Sequence, residues 1–174
     1  MTRREVPLVV AMLAGLLAGC TDPRPDHPNQ RPSYGPDVVH LGGVADIGFG
    51  DSLDELSRRG ALVPQRESCG PRLTSLPTVS PVFANERLVL VWIDPPVRTP
   101  EGVTVGTSLA EARAAYPHAR DLAAPPDSYR FDGLLVEEGD RAYLFLHDGQ
   151  TVRKAVAGYT EYVRRLFEDG FGTC

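Results

Sequence analysis

The chain has 174 residues, of which 42% are hydrophobic and 24% charged, enough for one core with appendages. Its formal net charge is −5, and without residues 1–19 the balance is 16 basic against 22 acidic side chains, so no nucleic acid partner is expected. With 17 Gly and 16 Pro, about a fifth of the chain, short elements and many turns are favoured over long helices.

Arg3 and Arg4 precede an apolar run over residues 6–18 that ends in Leu17-Ala18-Gly19-Cys20. The run is short for a bilayer span but has the proportions of a signal-peptide core. Its last four residues resemble the bacterial lipobox. That resemblance implies cleavage after residue 19, acylation of Cys20, and a membrane as partner through the acylated Cys20. A stable anchor needs roughly two acyl chains, which such processing supplies on one residue. The expected localisation is extracytoplasmic, lipid-anchored to the bacterial cell membrane. Residues 20–37 carry Pro23, Pro25, Pro28, Pro32 and Pro36 among polar residues, the composition of a solvated tether. His27 and His40 lie in or beside it without a second ligand at metal spacing, and no metal or cofactor is expected.

The folded domain is expected over residues 38–174. Two stretches within it share one plan: Ile47-Gly48-Phe49-Gly50-Asp51-Ser52-Leu53-Asp54-Glu55-Leu56 and Val103-Thr104-Val105-Gly106-Thr107-Ser108-Leu109-Ala110-Glu111-Ala112. Each reads apolar-x-apolar-Gly-x-Ser-Leu-x-Glu-apolar, a short extended piece, a glycine and a Ser-x-x-Glu capping box. Ser52 with Glu55, and Ser108 with Glu111, are therefore predicted to cap two helices, over residues 53–59 and 109–115. Residues 64–82 read as loop with one brief strand near 72–76. The seven-residue run from Arg87 to Ile93 reads as a central strand buried on both faces.

Further strands are expected over residues 129–137, with a break at Asp132-Gly133, then 141–147 and 151–157. A two-residue Asp148-Gly149 turn would pair His147 with Gln150, Phe145 with Val152 and Tyr143 with Lys154. That register puts Arg141, Tyr143, Phe145, His147, Val152, Lys154 and Val156 on one face, expected to be open, and the small aliphatic residues on the face that packs helices. Residues 159, 162, 163, 166 and 167 fall on one side of a C-terminal helix over 159–169, stopped by Gly170. Three cysteines are odd for an exported chain. Acylation of Cys20 leaves Cys69 and Cys174 to form a disulfide, whose closure of about a hundred residues is worth up to roughly 4.7 kcal/mol.

Phe49-Gly50-Asp51-Ser52-Leu53 resembles the nucleophile block of the GDSL hydrolases, which implies an extracytoplasmic serine hydrolase using Ser52. In that family a Gly-x-Asn-Asp block and a late Asp-x-x-His complete the site. Here Asp37-Val38-Val39-His40 precedes the serine, and Asn29 and Asn85 lie outside any such block. The twin Gly106-Thr107-Ser108-Leu109 shows the same spelling at a helix start. His118 and His147 stand alone and, with the pairs Asp54-Glu55 and Glu137-Glu138, read as solvated surface residues.

Taken together, the two helix starts followed by antiparallel strands resemble the β-lactamase inhibitor protein family and the small lipoproteins of the outer-membrane β-barrel assembly machinery. The resemblance covers residues 45–158. It implies an α+β domain of two degenerate tandem α-β repeats, 45–97 and 101–158, forming an antiparallel sheet with helices on one face, plus the C-terminal helix. It also implies a non-catalytic module whose open face grips a protein partner, with Trp92, Tyr143, Phe145 and His147 as contacts. A small-ligand carrier is the third reading.

Overall fold

The computed structural model describes residues 34–63, 70–126, 128 and 130–170. Both helix starts are built by the same local hydrogen bonds. Gly50 and Gly106 each take φ +96°, a left-handed conformation that glycine adopts without a Cβ penalty. The next side chain closes the turn behind it: the Gly48 amide donates to the Asp51 carboxylate (3.0 Å), and the Thr104 amide donates to Thr107 Oγ1 (3.0 Å). Ser52 Oγ accepts from the Glu55 amide and Ser108 Oγ from the Glu111 amide, each at 3.2 Å. Helices α1 (Leu53–Arg58) and α2 (Leu109–Ala115) follow.

Only α2 carries the full capping box, with the Ser108 amide donating to the Glu111 carboxylate at 3.1 Å. The reciprocal bond expected at α1 is replaced. Glu55 lies beside Arg58 (3.9 Å), a cation one turn on, whereas α2 has Ala114 at the matching position and nothing to compete for Glu111.

The main sheet is antiparallel, six strands in the order β6-β7-β11-β10-β9-β8. These are β6 (Val79–Ala84), β7 (Arg87–Ile93), β8 (Arg120–Leu122), β9 (Asp132–Glu138), β10 (Arg141–His147) and β11 (Val152–Tyr159). Two of them correct the sequence reading: β6 occupies ground assigned to loop, and β8 adds a short edge strand. The break expected at Asp132-Gly133 is instead the start of β9.

The register of β10 on β11 also differs from expectation. His147 pairs with Val152, Phe145 with Ala155 and Tyr143 with Ala157, with a bulge between Leu146 and His147. The turn residues are Gly149, at φ +90°, and Gln150, one position later than Asp148-Gly149. Asp148 flanks the turn, its carboxylate accepting from the Gln150 (3.0 Å) and Thr151 (2.8 Å) amides, and this fixes the shift. The bulge then moves Lys154 to the opposite face, paired with Leu146.

The β6–β7 hairpin has the same form. Its bulge falls between Val82 and Phe83, and its turn residues Asn85 and Glu86 have φ +48° and +61°. Each hairpin receives a helix start through matching backbone bonds. The Gly50 amide donates to Leu88 O, Leu53 N to Glu86 O and Leu88 N to Asp51 O; the Gly106 amide donates to Val152 O, Leu109 N to Gln150 O and Val152 N to Thr107 O. Strands β7 and β11 join the two hairpins at a seam where Trp92 pairs with Val156, flanked by Val91 with Ala157 and Ile93 with Ala155. Gly158 permits the close approach, since a Cβ there would lie 2.4 Å from Val89 O and 2.5 Å from Leu90 Cβ.

Both faces of this sheet are covered. On one lie α1, α2, the small sheet β1 (Val39–His40), β2 (Gly43–Val44) and β3 (Ile47–Gly48), and the ribbon β4 (Leu62–Val63) with β5 (Arg72–Leu73); their apolar residues join Tyr143, Phe145, Val152, Ala155 and Ala157 in one cluster. On the other lies α3 (Thr160–Asp169), which sets Val163, Leu166 and Phe167 against Leu90, Leu135, Leu144 and Val156. Gly133 leaves room for this helix, because a Cβ there would sit 3.0 Å from the Phe167 ring. The helix stops at Gly170 in a left-handed conformation, and Arg130 donates to its last carbonyls, Leu166 (2.9 Å) and Phe167 among them.

Candidate functional site

The face expected to be open is core. Phe145 is 0% exposed, Tyr143 3% and His147 5%, beneath the layer formed by α1, α2 and β1–β3. The Tyr143 hydroxyl donates to the Val39 carbonyl at 3.2 Å, which fixes β1 onto the sheet. Tyr116, at the end of α2, stacks on Phe145 with centroids 5.6 Å apart and lies 5.7 Å from Tyr143. Its hydroxyl donates to the Glu101 carboxylate. Burial, first among the causes, pushes both phenols well above the usual tyrosine range. This aromatic ladder is packing, and Tyr143, Phe145 and His147 are not contacts for a partner in the folded state.

His147 sits at the position that Phe83 holds in the other hairpin, on the turn side of its bulge. Its Nδ1 accepts from the Gly149 amide at 3.2 Å, which assigns the proton of the neutral ring to Nε2. Nε2 is buried without a partner. A ring in that tautomer offers a metal no lone pair, and among the described residues no three His, Cys, Asp or Glu side chains converge on a metal-sized space.

The two serines of the helix starts are occupied by backbone. Ser52 and Ser108 each form an isolated bridge to the adjoining hairpin, at Arg87 and Thr151, one residue before the helix their hydroxyls cap. Asp51, beside Ser52, is held by the Gly48 amide and by Arg59 (3.0 Å). His40 is spent locally, its Nδ1 accepting from the Gly42 amide and its ring stacked on Tyr34 at 4.8 Å.

What remains of the expected contact set is Trp92, on the α3 face. It is half-buried against the cluster that α3 covers, its Nε1 buried without a partner among the described residues, and Lys154 Nζ stands 5.6 Å from its ring centroid. Tyr162 packs on the same cluster, and Arg165 Cζ lies 5.9 Å from its ring centroid. Lys154 was not legible as a neighbour of Trp92, because the bulge carries it across to that face. Cys20, Cys69 and Cys174 lie outside the described residues.

No family model matches the chain, and no curated protein matches it. Among solved structures, an extracellular protein containing a SCP domain from Bacillus anthracis str. Ames matches with a TM-score of 0.46 and 16% identity, over 85% of this chain and 53% of that one. The chain thus spans about half the length of that protein, and a likeness of that grade assigns neither fold nor activity. Among the described residues no helix is long and apolar enough to cross a membrane.

Proposed function

We propose that this chain is a lipid-anchored extracytoplasmic binding module without catalytic activity, built from two degenerate copies of one α-β unit. The observation that carries the reading is Leu17-Ala18-Gly19-Cys20 at the end of a signal-peptide-like apolar run, followed by a proline-rich stretch.

Support for the two-copy construction comes from three matched features. The helix starts correspond at an offset of 56 residues (Gly50 and Gly106), the hairpins at 64 (Leu88 and Val152), and the bulges fall at matching places. The seam pairing of Trp92 with Val156, themselves 64 apart, is what a local two-fold axis between copies requires. Support for a non-catalytic role comes from the two serines, whose hydroxyls serve helix amides in both copies. A nucleophile needs a base and an oxyanion site within reach, and Ser52 has its cap bond instead.

Mass spectrometry of the N-terminal peptide from membranes tests the anchor. The reading expects a diacylglyceryl group on Cys20 and its loss in Cys20→Ala; an unmodified Cys20 in exported protein contradicts it. In the same reading Cys69 and Cys174 form a disulfide, which non-reducing peptide mapping would detect and two free thiols would refute.

A further inference from the structure

The two hairpins differ in chemistry at one matched position. Where the first packs Phe83 against the core, the second places His147, only 5% exposed, on the turn side of its bulge. A phenylalanine there asks nothing of its neighbours. The imidazole does: Nδ1 accepts from the Gly149 amide at 3.2 Å, and Nε2 carries its proton without a partner among the described residues. A buried polar atom left unpaired costs stability, so this ring is not what packing alone selects.

The bond to Gly149 belongs to one charge state of the ring. A neutral imidazole accepts at Nδ1, whereas a protonated one is a donor at both nitrogens. A proton on Nδ1 would set two N–H groups head to head and end the bond. Gly149 is the first of the two turn residues, and the carbonyl of the second, Gln150, accepts the amide of Leu109, the first residue of α2, at 2.8 Å. Through this turn the second hairpin receives its helix start.

We infer that His147 is a proton-operated latch: neutral, it holds the β10–β11 turn and with it the start of α2, and charged, it releases both. The inference does not depend on the lipid anchor proposed above. The charged groups of the described residues around the latch are already engaged. Asp132, opposite His147 on β9, accepts the Ala124 amide at 2.8 Å. Asp121, on β8, takes both terminal nitrogens of Arg113 from α2, at 3.0 and 2.5 Å. Arg113, and less strongly the His147 ring, hold the Asp121 carboxyl below the usual carboxylate range, so Asp121 is an anion within reach of a charge on that ring. Asp148, beside the turn, is bound to the Thr151 and Gln150 amides and to Arg153, which hold it down to about 2 and keep it ionised while imidazole changes charge.

The first hairpin is a control within the same molecule. Its Leu53 amide bonds to Glu86 O at 2.8 Å in the matching place, and Phe83 has nothing to titrate.

The full chain is followed by NMR from about pH 8 to about pH 5, the range in which imidazole changes charge. The ring nitrogens of His147 report its protonation, and amide exchange corrected for its intrinsic pH dependence reports the turn. The expected result is a roughly tenfold loss of protection at Gly149, the weight of about one hydrogen bond, with a parallel loss at Leu109 and none at Leu53. Both losses should share the midpoint of the His147 ring. His147→Phe, which gives the second hairpin the residue of the first, should leave Leu109 indifferent to pH. His147→Gln, polar but without a titrating group, should do the same and serves if the phenylalanine does not fold. A His147 ring that titrates while Gly149 and Leu109 keep their protection overturns the latch, and so does a ring that stays neutral throughout. A loss at Leu109 that persists in the variants, or that Leu53 shares, overturns it in favour of a general loosening by acid.

Discussion

Replacing Phe145 by alanine separates a buried aromatic ladder from an exposed recognition face. The ring is fully buried, stacked by Tyr116 at 5.6 Å and by Tyr143 at 6.0 Å, with α2 above it. A phenylalanine in such a place costs about 3–5 kcal/mol on truncation, because the lost transfer free energy is joined by a cavity its neighbours fill only in part. Against a total stability of roughly 5–15 kcal/mol this is a large fraction, and it should lower the melting temperature by about 10–15 °C. Urea unfolding followed by Trp92 emission is the assay, since that ring sits on the opposite face and leaves the substituted site unprobed. The midpoint should fall with the slope unchanged, which marks a loss of stability and not a change in the denatured state. An exposed phenylalanine would move stability by no more than about 0.5 kcal/mol. A measured change under about 1 kcal/mol would refute the placement of the aromatic face inside.

Three other outcomes follow from the same geometry. Ser108→Ala should cost about 1–2 kcal/mol and Ser52→Ala about 0.5–1 kcal/mol in urea titrations, because only the former breaks a reciprocal box; the reverse order would contradict the cap assignments. Gly158→Ala should cost more than about 3 kcal/mol, since its methyl would lie 2.4 Å from the Val89 carbonyl oxygen; a wild-type melting temperature would show the seam to be wider than described. The Asp148 carboxyl is held down to about 2 from an ordinary 3.8 by the Thr151 and Gln150 amides and by Arg153. A depressed carboxylate stabilises the fold above its ordinary pKa and loses that contribution as pH falls from about 4 to about 2. An NMR titration of Asp148 with a midpoint near 4 would contradict the turn geometry.

Local signals carried the helix starts. Gly-x-Ser-Leu-x-Glu places a glycine and a serine cap within six residues, so little tertiary context is needed to read it, whereas the turn closed by Asp51 or Thr107 lies at the position the two copies do not share. The run from Leu88 to Ile93 was equally plain, being apolar on both sides of the pleat. The same signal was present over Ala142-Tyr143-Leu144-Phe145-Leu146, which marks β10 as covered on both faces. Alternation names the residues that share a face but not what covers it, and the small apolar residues of β1–β3 gave no sign that they would roof the aromatic side.

Strand β6 was hidden by Pro81, which suits an edge strand because it has no amide to donate. The hairpin turn lies one residue later than expected, because Asp148 accepts bonds from beside it, and the bulge adds one more residue to the register shift that results. Of the expected contact residues only Trp92 stays accessible, and its neighbours depend on that bulge.

Nuclear Overhauser contacts across the β7–β11 seam test the central claim of two like hairpins joined back to back. Backbone contacts should link Val91 with Ala157, Trp92 with Val156 and Ile93 with Ala155, with ladder interruptions at Val82/Phe83 and at Leu146/His147. Contacts joining β7 to β10, or a β11 that pairs on one side only, would contradict it.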